Sequence, residues 1–294
     1  MAGKAFAAAR YAAVALAAGL AACGDATGPL SNAQERAIGS TLADEVETSV
    51  AALTPSGAVV PFDPRQGALA AAAAAAVPPC VDPSPSAASS DADAVPDSAV
   101  WTFTVPPCSY DDVHGGKVEV RGQLELRDPT TTTAGFEYAA KLTDLSYAFV
   151  NGDDSYTVIR NGTRALSGTT AGLTLTNDLR VLRSLSDLDA NVTAQWTIGF
   201  TPAQGGSLLL NTPLPGGSIA VAGSFTWSRG AEAFSLTVST PAALEYDASC
   251  GDTPQRIRAG ELRAAGTFDG QNGYVRLVWK KCGDAPEVDF VSTQ

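Results

Sequence analysis

From Val100 onward the chain alternates apolar and polar residues with a period of two, and this feature constrains the fold more than any other. A strand sends successive side chains to opposite faces, so such a pattern describes a sheet with one face buried and one wet. Val118, Val120, Leu124 and Leu126 alternate with Glu119, Arg121, Gln123, Glu125 and Arg127. Phe136, Tyr138, Ala140 and Leu142 alternate, then Leu145, Tyr147 and Phe149 continue one residue out of phase, which predicts a bulge at Thr143–Asp144. Asn151-Gly152-Asp153-Asp154 reads as a hairpin turn, with Tyr156 and Val158 beginning the return strand.

Leu173 and Leu175 begin a further strand, and others run through Val192–Phe200, Ile219–Trp227 and Phe234–Val238. Ile257–Phe268 and Tyr274–Trp279 make a last hairpin around Gly270-Gln271-Asn272-Gly273. Between Thr176 and Asp189 the pattern is ambiguous, because Leu179, Leu182 and Leu185 also fit a helix. Residues 100–294 are therefore expected to be mainly β: an antiparallel sandwich, barrel or curved open sheet of about eight to twelve strands. Gly116–Gly122, Gly217–Gly223 and Gly260–Gly266 share a frame whose second glycine stands where an inward side chain is due, the mark of a bend or a close backbone approach.

Ahead of the strands the period is helical. Ile38, Leu42, Val46, Val50 and Leu53 make one apolar stripe, predicting an amphipathic helix over Ser31–Leu53, within residues 31–54. Asn32 and Glu35 have capping-box spacing, and Glu35, Asp44, Glu45 and Glu47 fall on other faces of the helix. Residues 55–99 break the pattern with Pro, Ala, Ser and Asp, including the alanine run Ala70–Ala76 between Pro61, Pro64 and Pro78, Pro79, and read as a linker.

Residues 1–22 have the parts of a secretory signal: Lys4 and Arg10, an apolar run from Tyr11 to Leu20, then small residues. Leu20-Ala21-Ala22-Cys23 resembles the lipobox of bacterial lipoproteins. That resemblance implies that Cys23 is lipidated and becomes the first mature residue, with residues 23–30 a lipid-anchored tether. It implies a bacterial cell-envelope address, with the outer membrane, facing the periplasm or the cell surface, favoured over the inner membrane. Gly24 stands where the enteric inner-membrane retention signal has aspartate.

Without Cys23, Cys80, Cys108, Cys250 and Cys282 remain, an even set suited to two disulfides in an exported protein. Three connectivities are open; Cys80–Cys108 and Cys250–Cys282 are favoured because each closes a loop of about 30 residues. The formal net charge of −12 becomes −14 once Lys4 and Arg10 leave with the signal (−12 − 2), which argues against nucleic-acid partners and electrostatic membrane adhesion.

The most pointed candidate for chemistry is Ser89-x-Asp91-x-Asp93-x-Val95-Pro96-Asp97, which resembles the calcium loops of thrombospondin type-3 and dockerin-like repeats. The resemblance implies carboxylate ligands from Asp91, Asp93 and Asp97 and a carbonyl from Val95. Ser89, Ala94 and Val100 depart from that pattern at the first ligand, the glycine and the twelfth place. Asp111, Asp112 and His114 form a second polar cluster that also reads as a turn. Trp101, Trp196, Trp227 and Trp279 stand in apolar strand phase and read as core.

No nucleophile elbow, zinc-protease helix or Ser-x-x-Lys occurs, and His114 is the one histidine, so the expected role is non-enzymatic: a lipid-anchored envelope protein, structural or protein-binding. Two alternatives stay open. One is a carrier or sensor of an apolar molecule, in which a curved sheet closed by the helix encloses a cavity as in the lipoprotein-localisation carriers, an analogy of fold alone. The other is an envelope hydrolase using a carboxylate pair. The expected partners are the membrane, through Cys23, and an envelope protein.

Overall fold

The computed structural model describes residues 29–54, 88–91, 93, 95–111, 117–151, 154–185, 189–250 and 256–293. Among the described residues, eleven strands follow one helix and pair in the order of the chain, each antiparallel to the next. They are β1 (Ser98–Asp111), β2 (Lys117–Arg127), β3 (Tyr138–Asn151), β4 (Asp154–Thr169), β5 (Gly172–Leu185) and β6 (Ala190–Pro202), then β7 (Gly217–Arg229), β8 (Glu232–Tyr246), β9 (Ile257–Phe268), β10 (Gln271–Trp279) and β11 (Glu287–Ser292). The first and last strands do not pair with each other, so the sheet is a continuous open meander. The ambiguous stretch after Thr176 is strand β5, paired in unbroken register with β4 and β6.

Period-two patterning is reproduced in the burial. Along β6, Ala190, Val192, Ala194, Trp196, Ile198 and Phe200 are buried on one face. The bulge expected at Thr143–Asp144 is a register shift between Leu142 and Leu145 of β3 against β4. Asp144 there has φ 47° and faces Gly122 of β2, at φ 95°; a Cβ on Gly122 would lie 2.1 Å from the Asp144 carbonyl oxygen. Gly223 of β7 plays the same part against β6, with φ 155° and Gln195 O 2.3 Å from a Cβ. Only glycine lets the backbone bend so tightly against its neighbour strand, and such kinks curve a sheet. In the third glycine frame the positive φ belongs to the first glycine, Gly260, and not to Gly266.

Helix α1 (Asn32–Ala51) lies inside that curve. Its capping box is Ser31 with Gln34, one residue earlier than the Asn32/Glu35 spacing predicts, because the Ser31 hydroxyl accepts from Gln34 N while the Gln34 side chain accepts from Ser31 N. At this end Gln34 Nε2 donates to Glu232 Oε1 (2.8 Å) at the β7–β8 turn, and at the other end the Tyr138 hydroxyl of β3 donates to the carbonyl of Ala52. The helix therefore runs from one rim of the sheet to the other.

The apolar stripe is buried as expected, but burial extends beyond that narrow stripe to the other faces of the helix. Glu45, Val46, Glu47, Thr48, Ser49 and Val50 are all buried, and six consecutive residues sweep the full circumference of a helix. The sheet surrounds this half instead of lying under it. Small and hydroxylated residues make the enclosure feasible. Thr41, Thr48 and Ser49 each donate to the carbonyl four residues back at 2.7 Å, so their hydroxyl protons are satisfied within the helix. Gly39 lies so close to Val288 of β11 that a Cβ would meet its Cγ1 at 2.4 Å.

Candidate functional site

A charged seam joins the enclosed helix to the inner face of β4 and β5. Arg160 Nη2 donates to Glu45 Oε1 at 3.1 Å, and Arg183 Nη2 to Asp44 Oδ2 at 2.5 Å. Asn177 Nδ2 of β5 donates to the Ser49 hydroxyl at 3.0 Å, and Trp196 Nε1 of β6 reaches the same oxygen at 3.4 Å. Arg160 and Arg164 stand in the inward phase of β4 with Val158 and Leu166; Asn177 and Arg183 do so on β5 with Leu175, Leu179 and Val181. The strand pleat therefore carries three guanidiniums into an otherwise apolar interior.

The electrostatics of the seam are uneven. Burial alone would raise the Glu45 carboxyl, but Arg160 and Arg183, the hydrogen bond from Arg160, and Arg164 together hold it below the usual carboxylate range. Asp44, more exposed than Glu45, is pushed up by burial against the pull of Arg183. At Glu47 no arginine offsets the burial, which, with Asp44 adding to it, lifts its carboxyl to about 8. The Trp279 indole N–H opposes this rise without completing a hydrogen bond. Arg164 is also buried, its guanidinium pKa is lowered by burial, and its Nε and Nη2 have no partner. Chemically the seam is a clasp of two ion pairs, with one guanidinium left over and one carboxyl protonated at neutral pH.

A second cluster lies where the chain joins β1. Asp91, Asp93 and Asp128 offer carboxylate oxygens that all lie within 4.8 Å of one another. Asp128 directly follows β2, and its backbone N–H donates to the carbonyl of Pro96 (3.0 Å). Asp97 stands apart from this group: it accepts from the backbone and hydroxyl of Ser90, which hold its carboxyl below the usual range. Asp128 carries no local signal in the sequence, since it stands 35 positions beyond Asp93 (128 − 93).

Cys250 and Cys282 form a disulfide that closes a loop of 32 residues, so the proximity of Asp247 to both sulfurs makes no metal site. Cys108 is also disulfide-bonded, while Cys23 and Cys80 lie outside the described residues. Asp112 and His114 lie outside them too, as does Asp153. All four tryptophans are buried. No protein-family model, no curated protein and no solved structure matches this chain.

Proposed function

We propose that this chain is a lipid-anchored protein of a bacterial envelope with a non-enzymatic, protein-binding role. The observation that carries the reading is the enclosure of α1. With Glu45–Val50 buried on every side and two ion pairs closing the seam, the chain fills its own interior, and a partner meets the outer surface. The anchor supplies the location. Pro29 and Leu30 are buried against the domain, so five residues, Gly24–Gly28, separate Cys23 from the folded part, and they reach at most about 18 Å. Because α1 starts beside the β7–β8 turn, this tether leaves from that rim, and a lipid at Cys23 holds that rim near the bilayer.

The test is metabolic labelling with an alkyne fatty acid, followed by membrane fractionation. The wild type should be labelled and sediment with membranes. Cys23→Ala should lose both properties, and crosslinks to a second envelope protein should map to outward residues such as Arg121 or Glu245. An unlabelled wild-type chain contradicts the anchor.

A second reading, a carrier of an apolar molecule, is favoured by one observation: the buried Arg164 at the inner wall, whose Nε and Nη2 have no hydrogen-bond partner. A ligand with an apolar body and an anionic head would have to displace α1, which is joined to the sheet by side chains and not by a backbone ladder. Co-purification of such a molecule, lost on Arg164→Met, would favour this reading over the first.

A further inference from the structure

We propose that Asp91, Asp93 and Asp128 form a calcium site that fastens the edge strand β1 to the β2–β3 connection. Three features of the cluster converge on this chemistry.

The first is spacing. Two oxygens bound to one calcium at about 2.4 Å can stand at most about 4.8 Å apart. The three carboxylates already meet that limit in every pairing. Magnesium demands near-ideal octahedral geometry and keeps several waters, whereas calcium accepts a flexible set of carboxylates, and an all-oxygen donor group is unsuited to softer metals.

The second is orientation. Each acid is fixed by the main chain or by a neighbouring hydroxyl. Asp93 Oδ1 accepts from Val95 N (2.8 Å) and Ser89 Oγ (3.4 Å), and its Oδ2 accepts from Gly135 N (3.3 Å). Asp128 Oδ1 accepts from Thr130 N (2.7 Å), and Asp91 Oδ1 from Ser89 Oγ (3.1 Å). A carboxylate has about four lone-pair sites, so these bonds orient the groups without using them up.

The third feature points to a ligand directly. Asp128 is 7% exposed, yet its Oδ2 has no hydrogen-bond partner, and Asp91 Oδ2 is likewise sealed and unpartnered. Buried carboxylate oxygens left bare are costly unless a cation takes them. Among the described residues no lysine or arginine forms an ion pair with any of the three acids. The ion joins the segment leading into β1, the residue that follows β2 and, through Asp93 and Gly135, the loop before β3. It therefore secures the open edge of the sheet.

The experiment adds calcium chloride to the chelator-treated full chain, solubilised from membranes in detergent, with magnesium chloride in parallel. Isothermal titration should show one calcium per chain with a dissociation constant on the order of 10⁻⁴ M or tighter, raising the thermal midpoint. Magnesium should bind at least ten-fold more weakly. Asp97→Asn should keep the calcium response, and Asp128→Asn should abolish it. If Asp128→Asn fails to fold, Asp91→Asn, at a half-buried position, decides in its place. A wild-type chain that neither binds calcium nor shifts its midpoint overturns the proposal, as does a folded Asp128→Asn or Asp91→Asn variant that binds calcium as tightly as the wild type.

Discussion

Arg160 on β4 donates to Glu45 on α1 across 3.1 Å, with side chains 4% and 1% exposed, although 115 positions separate them in the chain. No other ion pair among the described residues is so completely sealed from water on both sides. It fixes the rotation and depth of the helix inside the sheet, because an apolar stripe alone can slide along an apolar wall. Removing one partner of a buried pair leaves an uncompensated charge and costs about 3–5 kcal/mol. Glu45→Gln should lose stability of that order in urea denaturation. The double variant Glu45→Leu with Arg160→Met should recover most of it. A Glu45→Gln loss below about 1 kcal/mol would show that the seam is wet.

Glu47 makes stability depend on pH. Its carboxyl titrates near 8 in the folded chain and near the ordinary 4.5 when unfolded, so between those values the folded state holds the extra proton. Stability from this group is full below about pH 4.5, declines as pH rises through that interval and levels off above 8. Glu47→Gln should flatten this part of the profile and be more stable than wild type at pH 8.5, by a few kcal/mol at most. Denaturation midpoints of both proteins from pH 5 to 9 check it. Parallel profiles would mean that Glu47 ionises freely.

The kink at Gly122 predicts a sharp contrast between glycines. Gly122→Ala would place a Cβ 2.1 Å from the Asp144 carbonyl at φ 95°, so both space and backbone oppose it. It should cost several kcal/mol and reduce soluble yield, with the loss of amide protection concentrated in β2 and β3. Gly230→Ala, at φ 59° with open space around it, should cost only about 1–2 kcal/mol.

The Cys250–Cys282 bridge closes 32 residues around the β8–β9 and β10–β11 ends. Chain entropy assigns such a loop about 3–4 kcal/mol. Replacing both cysteines with serine should lower stability by about that much and leave lipid labelling at Cys23 unchanged. A scan with and without reductant, followed by labelling, separates the two effects.

Much of the fold was legible because one physical signal dominates it. The alternation at Val118–Arg127 and the phase slip at Thr143–Asp144 locate β2, β3 and their bulge from side-chain pattern alone. The ends of α1 were legible to within a residue or two. The charged seam was harder to see because charge ordinarily marks a wet face. Asp44, Glu45 and Glu47 fall off the apolar stripe of the helix, and the charge of Arg160, Arg164 and Arg183 masks their inward phase among strand residues. That phase was the available signal: in Tyr156, Val158, Arg160, Arg164 and Leu166 the arginines occupy positions due to apolar residues. The acidic cluster was half legible. Asp91 and Asp93 are local to one motif, whereas Asp128 joins them only through the pairing of β1 with β2.

The most direct test of the account is native mass spectrometry of the full chain, extracted from bacterial membranes and released from detergent in the gas phase. The account predicts a chain that starts at Cys23, carries its acyl modification and holds no other apolar molecule, because α1 fills the interior. A chain without acyl mass would contradict the anchor. A stoichiometric lipid beyond that covalent modification would contradict the filled interior and turn the helix into a gate.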